Sequence, residues 1–211
     1  MSELKQDMAI RQSLVSRAMK AFEDDMKTVK RDGIEKVLEY INESDFMYAP
    51  ASTQYHLHCE YGLLVHSYHV VCYLTKLNEM HGIKHIKIPI ESILISGWFH
   101  DICKTNVYVE QERRRKNEKT NRWESYSGYL FKDDLPLGHG EKSVYMLSEF
   151  GLKLDHSEIA AINYHMGAFH FGNRYDRESS MQQAWKTWPL SLLLHVADTM
   201  ATNIADVSAV V

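Results

Sequence analysis

The spacing of apolar residues constrains the fold most, because they recur three or four positions apart along most of the 211-residue chain. This period matches the 3.6 residues per turn of an α-helix, whereas a half-buried strand alternates every two residues. One such stripe marks a long N-terminal helix and comprises Leu14, Ala18, Phe22, Met26 and Val29. A shorter helix follows Gly33. The chain is therefore predicted to form an all-α helical bundle.

Residues 106–131 interrupt the helical period with β-branched and aromatic side chains, which predicts a small β-hairpin inserted between helices. Further helices are predicted over about 60–80 (ending at His81-Gly82), 89–104, 139–150 and 155–165, and a last one from Pro189. The stretch 166–180 is predicted to be a loop. We divide the chain into an N-terminal helical extension packed on the core, 1–44, and a main domain, 45–211. The N-terminal stripe fits packing on its own domain or on a second copy of the chain, as in a homo-oligomer.

Composition excludes several classes of protein. The formal net charge is −4, from 24 basic and 28 acidic residues, which argues against nucleic-acid binding driven by bulk charge. No apolar run reaches the length of a membrane span, and the N-terminus lacks the apolar segment of a secretory signal. Three cysteines without a CxxC pair suit reduced thiols. We therefore expect a cytoplasmic protein with no membrane partner.

Histidine and aspartate residues mark the inner ends or apolar faces of five predicted helices. Any one of them alone is more often a hydrogen-bonded core residue than a ligand. Six together predict a metal site, since helical bundles build such sites from side chains on facing helices. Imidazole and carboxylate ligands suit Mn, Fe, Zn, Co or Ni, and the absence of cysteine disfavours a structural zinc site. The six are His66, His100, Asp101, His139, His165 and Asp198.

The order of these residues, H…HD…H…H…D, resembles the HD-domain metal-dependent phosphohydrolase superfamily over roughly residues 45–205. The resemblance implies an HD-domain helical bundle that binds two divalent metal ions. Mg is added to the metals named above as a candidate. The resemblance implies that His66, His100, Asp101 and Asp198 hold one ion. Asp101 would then bridge to a second ion, held by His139 and His165.

Three local segments resemble the bacterial 3′–5′ exoribonucleases of the YhaM type. They are FMYAPASTQYHLHCEYGLLVHS around the first ligand, HDICK around the HD pair, and GHGEKS at the next histidine. Two departures stand out: Tyr61-Gly62 occupies the place of a usual glycine pair, and NYHMG has one histidine where several subgroups have two.

Four residues near the predicted ligands are assigned to substrate. Lys104 lies one helical turn beyond the HD pair. We predict that it acts with Asp101 in catalysis and binds a phosphate oxygen, the alternative being a solvated lysine at the helix end. Tyr108, four residues further on, is predicted to face the same substrate. Lys142, in a helix N-terminus, either holds phosphate or belongs to a solvated first turn. Arg113, in the basic and aromatic hairpin, either contacts phosphates and bases or lies on a solvated strand face.

The function predicted from these residues is hydrolysis of a phosphoester by a metal-activated water. The expected substrate is a mononucleotide or cyclic nucleotide, or else a nucleic-acid 3′ end. Three alternatives stay open: a 3′–5′ exonuclease, a diiron oxygenase on the same HD scaffold, and a nucleotide-binding module without turnover. His195 either supports a ligand or is a satisfied core histidine.

Overall fold

The computed structural model describes residues 2–80, 88–117, 120–167 and 175–208. For residues 2–10, 175–178 and 208 it describes the backbone only. The helices are α1 (Ser2–Met26), α2 (Ile34–Glu43), α3 (Gly62–Met80), α4 (Ile90–Phe99), α5 (His139–Glu149), α6 (His156–Tyr164), α7 (Tyr175–Thr187), α8 (Pro189–Met200) and α9 (Asp206–Ser208). Strands β1 (Tyr108–Lys116) and β2 (Trp123–Phe131) form an antiparallel hairpin. The prediction of an all-α HD-type bundle with a small hairpin is confirmed.

Helix α3 lies at the centre of the bundle and packs against α1, α4 and α8. Its first half is buried on every side, from Gly62 to Ser67, which is the expected position of a helix that is apolar all round. His66 is carried into the interior on this segment and is 1% exposed. The centre of the fold is therefore also the place where the first predicted ligand lies.

The predicted stripe on α1 is buried against this core. Phe22 makes edge-on ring contacts with Trp98 and Phe99, at centroid distances of 5.2 and 6.4 Å. Ala18 and Met26 are buried beside it. The N-terminal helix thus packs on its own chain through this stripe, while the division at residues 44 and 45 stays a prediction.

Gly33 fixes the entry to α2. Its φ is +91°, and a Cβ built there would lie 2.1 Å from the backbone oxygen of Gly151. Only glycine combines a positive φ with so close a backbone approach. The predicted break at Gly33 therefore has a structural cause, the contact between the α1–α2 turn and the end of α5.

Two predicted boundaries were wrong. The helix expected to run from Pro89 to about Lys104 ends at Phe99, and Ile102–Lys104 form a separate 3₁₀ turn. Part of the loop predicted over 166–180 is helical, because α7 begins at Tyr175. The apolar signal of α7 is sparse: Met181 and Ala184 are its fully buried apolar residues among those described. Residues 168–174 and the predicted helix stop at His81-Gly82 lie outside the described residues.

Candidate metal centre

Imidazole and carboxylate side chains from α3, the turn after α4, and α8 meet in the interior of the bundle. His66 is central, and its Nε2 lies 3.2 Å from Asp198 Oδ1 and 3.3 Å from His100 Nε2. The same nitrogen lies 3.7 Å from Asp101 Oδ2. Residues far apart in sequence thus direct their ligand-type atoms at one point.

Asp101 has histidines on both sides, one side facing each of its two oxygens. Its Oδ2 lies 3.4 Å from His100 Nε2, and its Oδ1 lies 3.5 Å from His165 Nε2. Asp101 has left the helical conformation of α4, with φ −111° and ψ 20°. The turn lets the adjacent residues His100 and Asp101 reach the same centre, although neighbours on a continuous helix point about 100° apart.

The rings of three histidines are fixed by hydrogen bonds at Nδ1. That atom is 2.7 Å from Asp206 Oδ2 in His66, 2.9 Å from Gly97 O in His100, and 2.7 Å from Ile162 O in His165. An oxygen acceptor keeps the proton on Nδ1, so the lone pair of Nε2 faces the centre. Metal-binding histidines are commonly oriented in this way.

The donor set fits a divalent cation. Asp101 Oδ1 and His165 Nε2 are buried without a hydrogen-bond partner in the described part of the chain. Two atoms at about 2.1 Å from one ion lie about 3.0 Å apart at a right angle and about 3.4 Å apart at a tetrahedral angle. Four of the separations, 3.2 to 3.5 Å, are close to these values, and the fifth, 3.7 Å between His66 Nε2 and Asp101 Oδ2, is slightly wider.

The electrostatics of the centre also favour positive charge. Burial alone would raise the pKa of Asp101, but Lys104, His100 and His165 hold it well below its ordinary value. Burial disfavours the charged form of His66, yet hydrogen bonds to Asp198 and Asp206 raise its pKa to about 10. A cation coordinated by Nε2 would take the place of the proton that this pKa assigns to that atom. The carboxylates are therefore ionised, and the cluster stabilises a cation among them.

His139 begins α5 and lies on the wall of the cavity that contains these residues. Its Nδ1 lies 3.7 Å from Cys103 Sγ, and its ring faces Phe131 edge-on at 6.3 Å between centroids. Gly140 allows α5 to approach α6, since a Cβ there would lie 2.3 Å from Asn163 O. Of the six predicted ligands, the structure brings five together, Asp101 among them, and places His139 beside them.

Lys104 and Tyr108 both line this cavity. Lys104 donates to Asp101 Oδ2 at 2.7 Å. Burial disfavours its charge, but Asp101 raises the pKa of its ammonium group above the ordinary value. Burial raises the pKa of Tyr108 to about 12. A permanent positive charge and a neutral phenol therefore stand beside the ligand cluster.

The other two predicted substrate residues lie elsewhere. Lys142 is buried, but its ammonium donates to Asp133 Oδ1 at 2.5 Å. Arg113 lies opposite Tyr126 in the hairpin. Neither is among the described residues that line the cavity, so the structure provides no contact for their predicted role.

The cavity beside the cluster has a volume of about 460 Å³. Aromatic side chains, Tyr108 and Phe131, form part of its wall and face each other edge-on at 5.8 Å. Hydroxyl, amide and imidazole groups complete it, among them His56, His195, Thr199, Thr202 and Asn203. The volume and this mixed lining fit a small polar molecule with an aromatic part.

Sequence reasoning missed Asp206, and it left His56 (cavity wall or exposed loop) and His195 undecided. Asp206 is buried and binds the rings of His66 and His69. His56 lies 5.0 Å from the His66 ring between centroids, and its buried Nε2 has no hydrogen-bond partner among the described atoms. His195 lies on the cavity wall, and its Nδ1 is 2.7 Å from the backbone oxygen of His165. The His56-Leu57-His58 segment before α3 was the available signal for His56.

Comparison with known proteins identifies a family whose members bind metal ions, in agreement with the metal centre described above. The profile of the HD domain family matches residues 63–200, about two thirds of the chain and all six predicted ligands. Searches of curated proteins and of solved structures gave no significant match, so the resemblance to YhaM-type exoribonucleases is not shown. HD domains bind divalent metal ions and are generally metal-dependent phosphohydrolases. With a matching profile, an all-α fold and a His/Asp cluster suited to a metal, the chain belongs to the HD domain family.

Proposed function

We propose that this protein is a metal-dependent phosphohydrolase that cleaves a phosphoester of a mononucleotide or cyclic nucleotide, or of a nucleic-acid 3′ end. One observation carries the proposal. The buried carboxylate of Asp101 stands between His100 on one side and His165 on the other, while Lys104 binds the same carboxylate at the cavity wall. Ligands for cations and a fixed positive charge for phosphate thus converge on one cavity.

The proposed site holds two divalent ions. His66, His100, Asp101 and Asp198 would hold one, and Asp101, His139 and His165 the other. The two faces of Asp101 support this division, because Oδ2 lies near His100 and Oδ1 near His165. Ions bound there would polarise a phosphoryl oxygen and lower the pKa of a water molecule toward neutrality.

The protein's own residues would orient the substrate. Lys104 is a buried ammonium that a phosphate oxygen can reach from the cavity. A charged donor in such a site stabilises the negative charge that develops on the phosphoryl oxygens. Tyr108 and Phe131 provide aromatic faces against which a base could stack. The burial of the centre limits access of bulk water to the reacting atoms.

A small nucleotide suits the molecule better than a long polymer. The cavity volume of about 460 Å³ lies in the range of small-molecule sites. The formal net charge of −4 gives no general attraction for a polyanion. No described helix is long and apolar enough to cross a membrane. We propose the cytoplasm as the compartment.

A metal analysis combined with a substrate screen tests the proposal. The protein is supplemented with Mn²⁺ and assayed with nucleotides, cyclic nucleotides and short oligonucleotides for released phosphate or nucleoside. We expect the protein to hydrolyse one of these classes of substrate. The Asp101→Ala variant should lose this activity and both metal ions, because one carboxylate is proposed to bind both ions. Retention of two ions per chain by that variant would refute the bridging role. Consumption of O₂ by the Fe²⁺-loaded protein without hydrolysis would instead favour an oxygenase.

A further inference from the structure

Asp206 begins α9, beyond the region matched by the family profile, and its carboxylate is fully buried. We propose that Asp206 is a positioning residue for His66, holding the ring so that Nε2 faces the metal centre. Its Oδ2 lies 2.7 Å from His66 Nδ1. The inference rests on the proposed metal site and adds to it a residue that contacts no ion itself.

A second bond fixes the carboxylate in turn. His69 follows His66 by one turn of α3, and its Nδ1 lies 2.6 Å from Asp206 Oδ1. Each oxygen of Asp206 therefore accepts from a different ring. Because an ionised carboxylate can only accept, both histidines must carry a proton at Nδ1. This arrangement sets the tautomer of His66 that leaves Nε2 open to a cation.

The backbone between α8 and α9 makes this contact possible. Asp198 and Asp206 are eight residues apart, and eight residues of continuous α-helix would rotate the second side chain about 80° from the first. Residues Ala201–Ala205 form a π-helical turn instead. A π turn accommodates about one extra residue, so Asp206 returns to within about 20° of Asp198. Both carboxylates consequently reach His66, Asp198 at Nε2 and Asp206 at Nδ1.

The physical consequence concerns metal affinity rather than the chemical step. A carboxylate at Nδ1 makes the opposite nitrogen a better electron donor and prevents the ring from turning away. Asp206→Asn keeps the size of the side chain but removes the carboxylate from both rings. If the amide N–H group faces His66, the ring proton moves to Nε2 and blocks coordination. If the neutral amide oxygen faces His66, it is a weaker acceptor than the carboxylate, and Nε2 becomes a poorer donor to the metal. Loss of such a partner typically weakens metal affinity by about 10- to 100-fold.

Titration of the metal-free 211-residue protein with Mn²⁺ by calorimetry tests the inference. Asp206→Asn is compared with Asp25→Asn, a matched control in which a partly buried carboxylate accepts from the Trp98 ring N–H at 2.9 Å. We expect the dissociation constant to rise about 10- to 100-fold in Asp206→Asn and to change less than about twofold in Asp25→Asn. Equal affinities in the two variants would overturn the positioning role.

A measurement on the unchanged sequence covers the case in which Asp206→Asn does not fold. In the Zn²⁺-loaded protein, ¹⁵N-resolved spectra of the histidine rings should show His66 coordinated through Nε2, with a slowly exchanging proton at Nδ1. Coordination through Nδ1, or rapid exchange there, would overturn the inference. Neither readout uses turnover, so a failed substrate screen would count against the proposed reaction alone. An unchanged protein that binds no ion would refute the metal site itself.

Discussion

Replacement of Lys104 by Met tests whether the charge beside Asp101 acts on the substrate. Met approximates the length and volume of the lysine stem, so the packing near Tyr108 is largely kept. What is lost is an ammonium group 2.7 Å from Asp101 Oδ2 on the wall of the substrate cavity. Removal of one charge-stabilising donor from an active site costs about 10²- to 10³-fold in rate. That range corresponds to about 2.7–4 kcal/mol of transition-state stabilisation.

The assay is kcat and KM under saturating Mn²⁺ on the substrate identified by the screen, with bound metal measured in the same samples. We expect kcat to fall by about 10²–10³ while two ions remain bound. Lys142→Met provides the comparison, since it also removes a buried lysine paired with an aspartate but lies outside the cavity lining. Unchanged turnover in Lys104→Met would refute the reasoning. A raised KM in Lys142→Met would restore its predicted role in binding.

Two further variants test the frame of the fold, and metal removal tests the centre. Arg31 binds the fully buried Glu158 through two hydrogen bonds, at 2.7 and 2.9 Å; Arg31→Met should lower the free energy of unfolding by about 3–5 kcal/mol in urea, and a loss under about 1 kcal/mol would show that Glu158 finds another partner. Gly33→Ala should cost more than about 1 kcal/mol, measured in the same way, because of its φ of +91° and the contact with Gly151. Chelation should lower the midpoint of thermal unfolding, since ions bound only to the native state stabilise it; an unchanged midpoint would argue against tight binding.

The apolar period was sufficient to predict the fold class. It marked the stripe on α1, and the change to β-branched and aromatic residues marked the hairpin, found at 108–131. The helix predicted from residue 155 is found as α6, and its start is fixed by a capping box in which Asp155 and Glu158 make both reciprocal hydrogen bonds. These signals are local, because each depends on residues within a few turns of one another. Helix α7 was missed because too few of its residues are apolar to show a helical period.

The arrangement of the centre depends on departures from regular helix, which a helical period cannot reveal. The break at His100 and Asp101 lets two neighbouring residues face one point. The π turn after α8 brings Asp206 onto the same side as Asp198. In an ideal helix, two side chains eight residues apart would point in different directions. The apolar period therefore predicted those ligands that a regular stretch of helix carries into the core. It missed Asp206, whose place depends on the π turn that lies between Asp198 in α8 and Asp206 in α9.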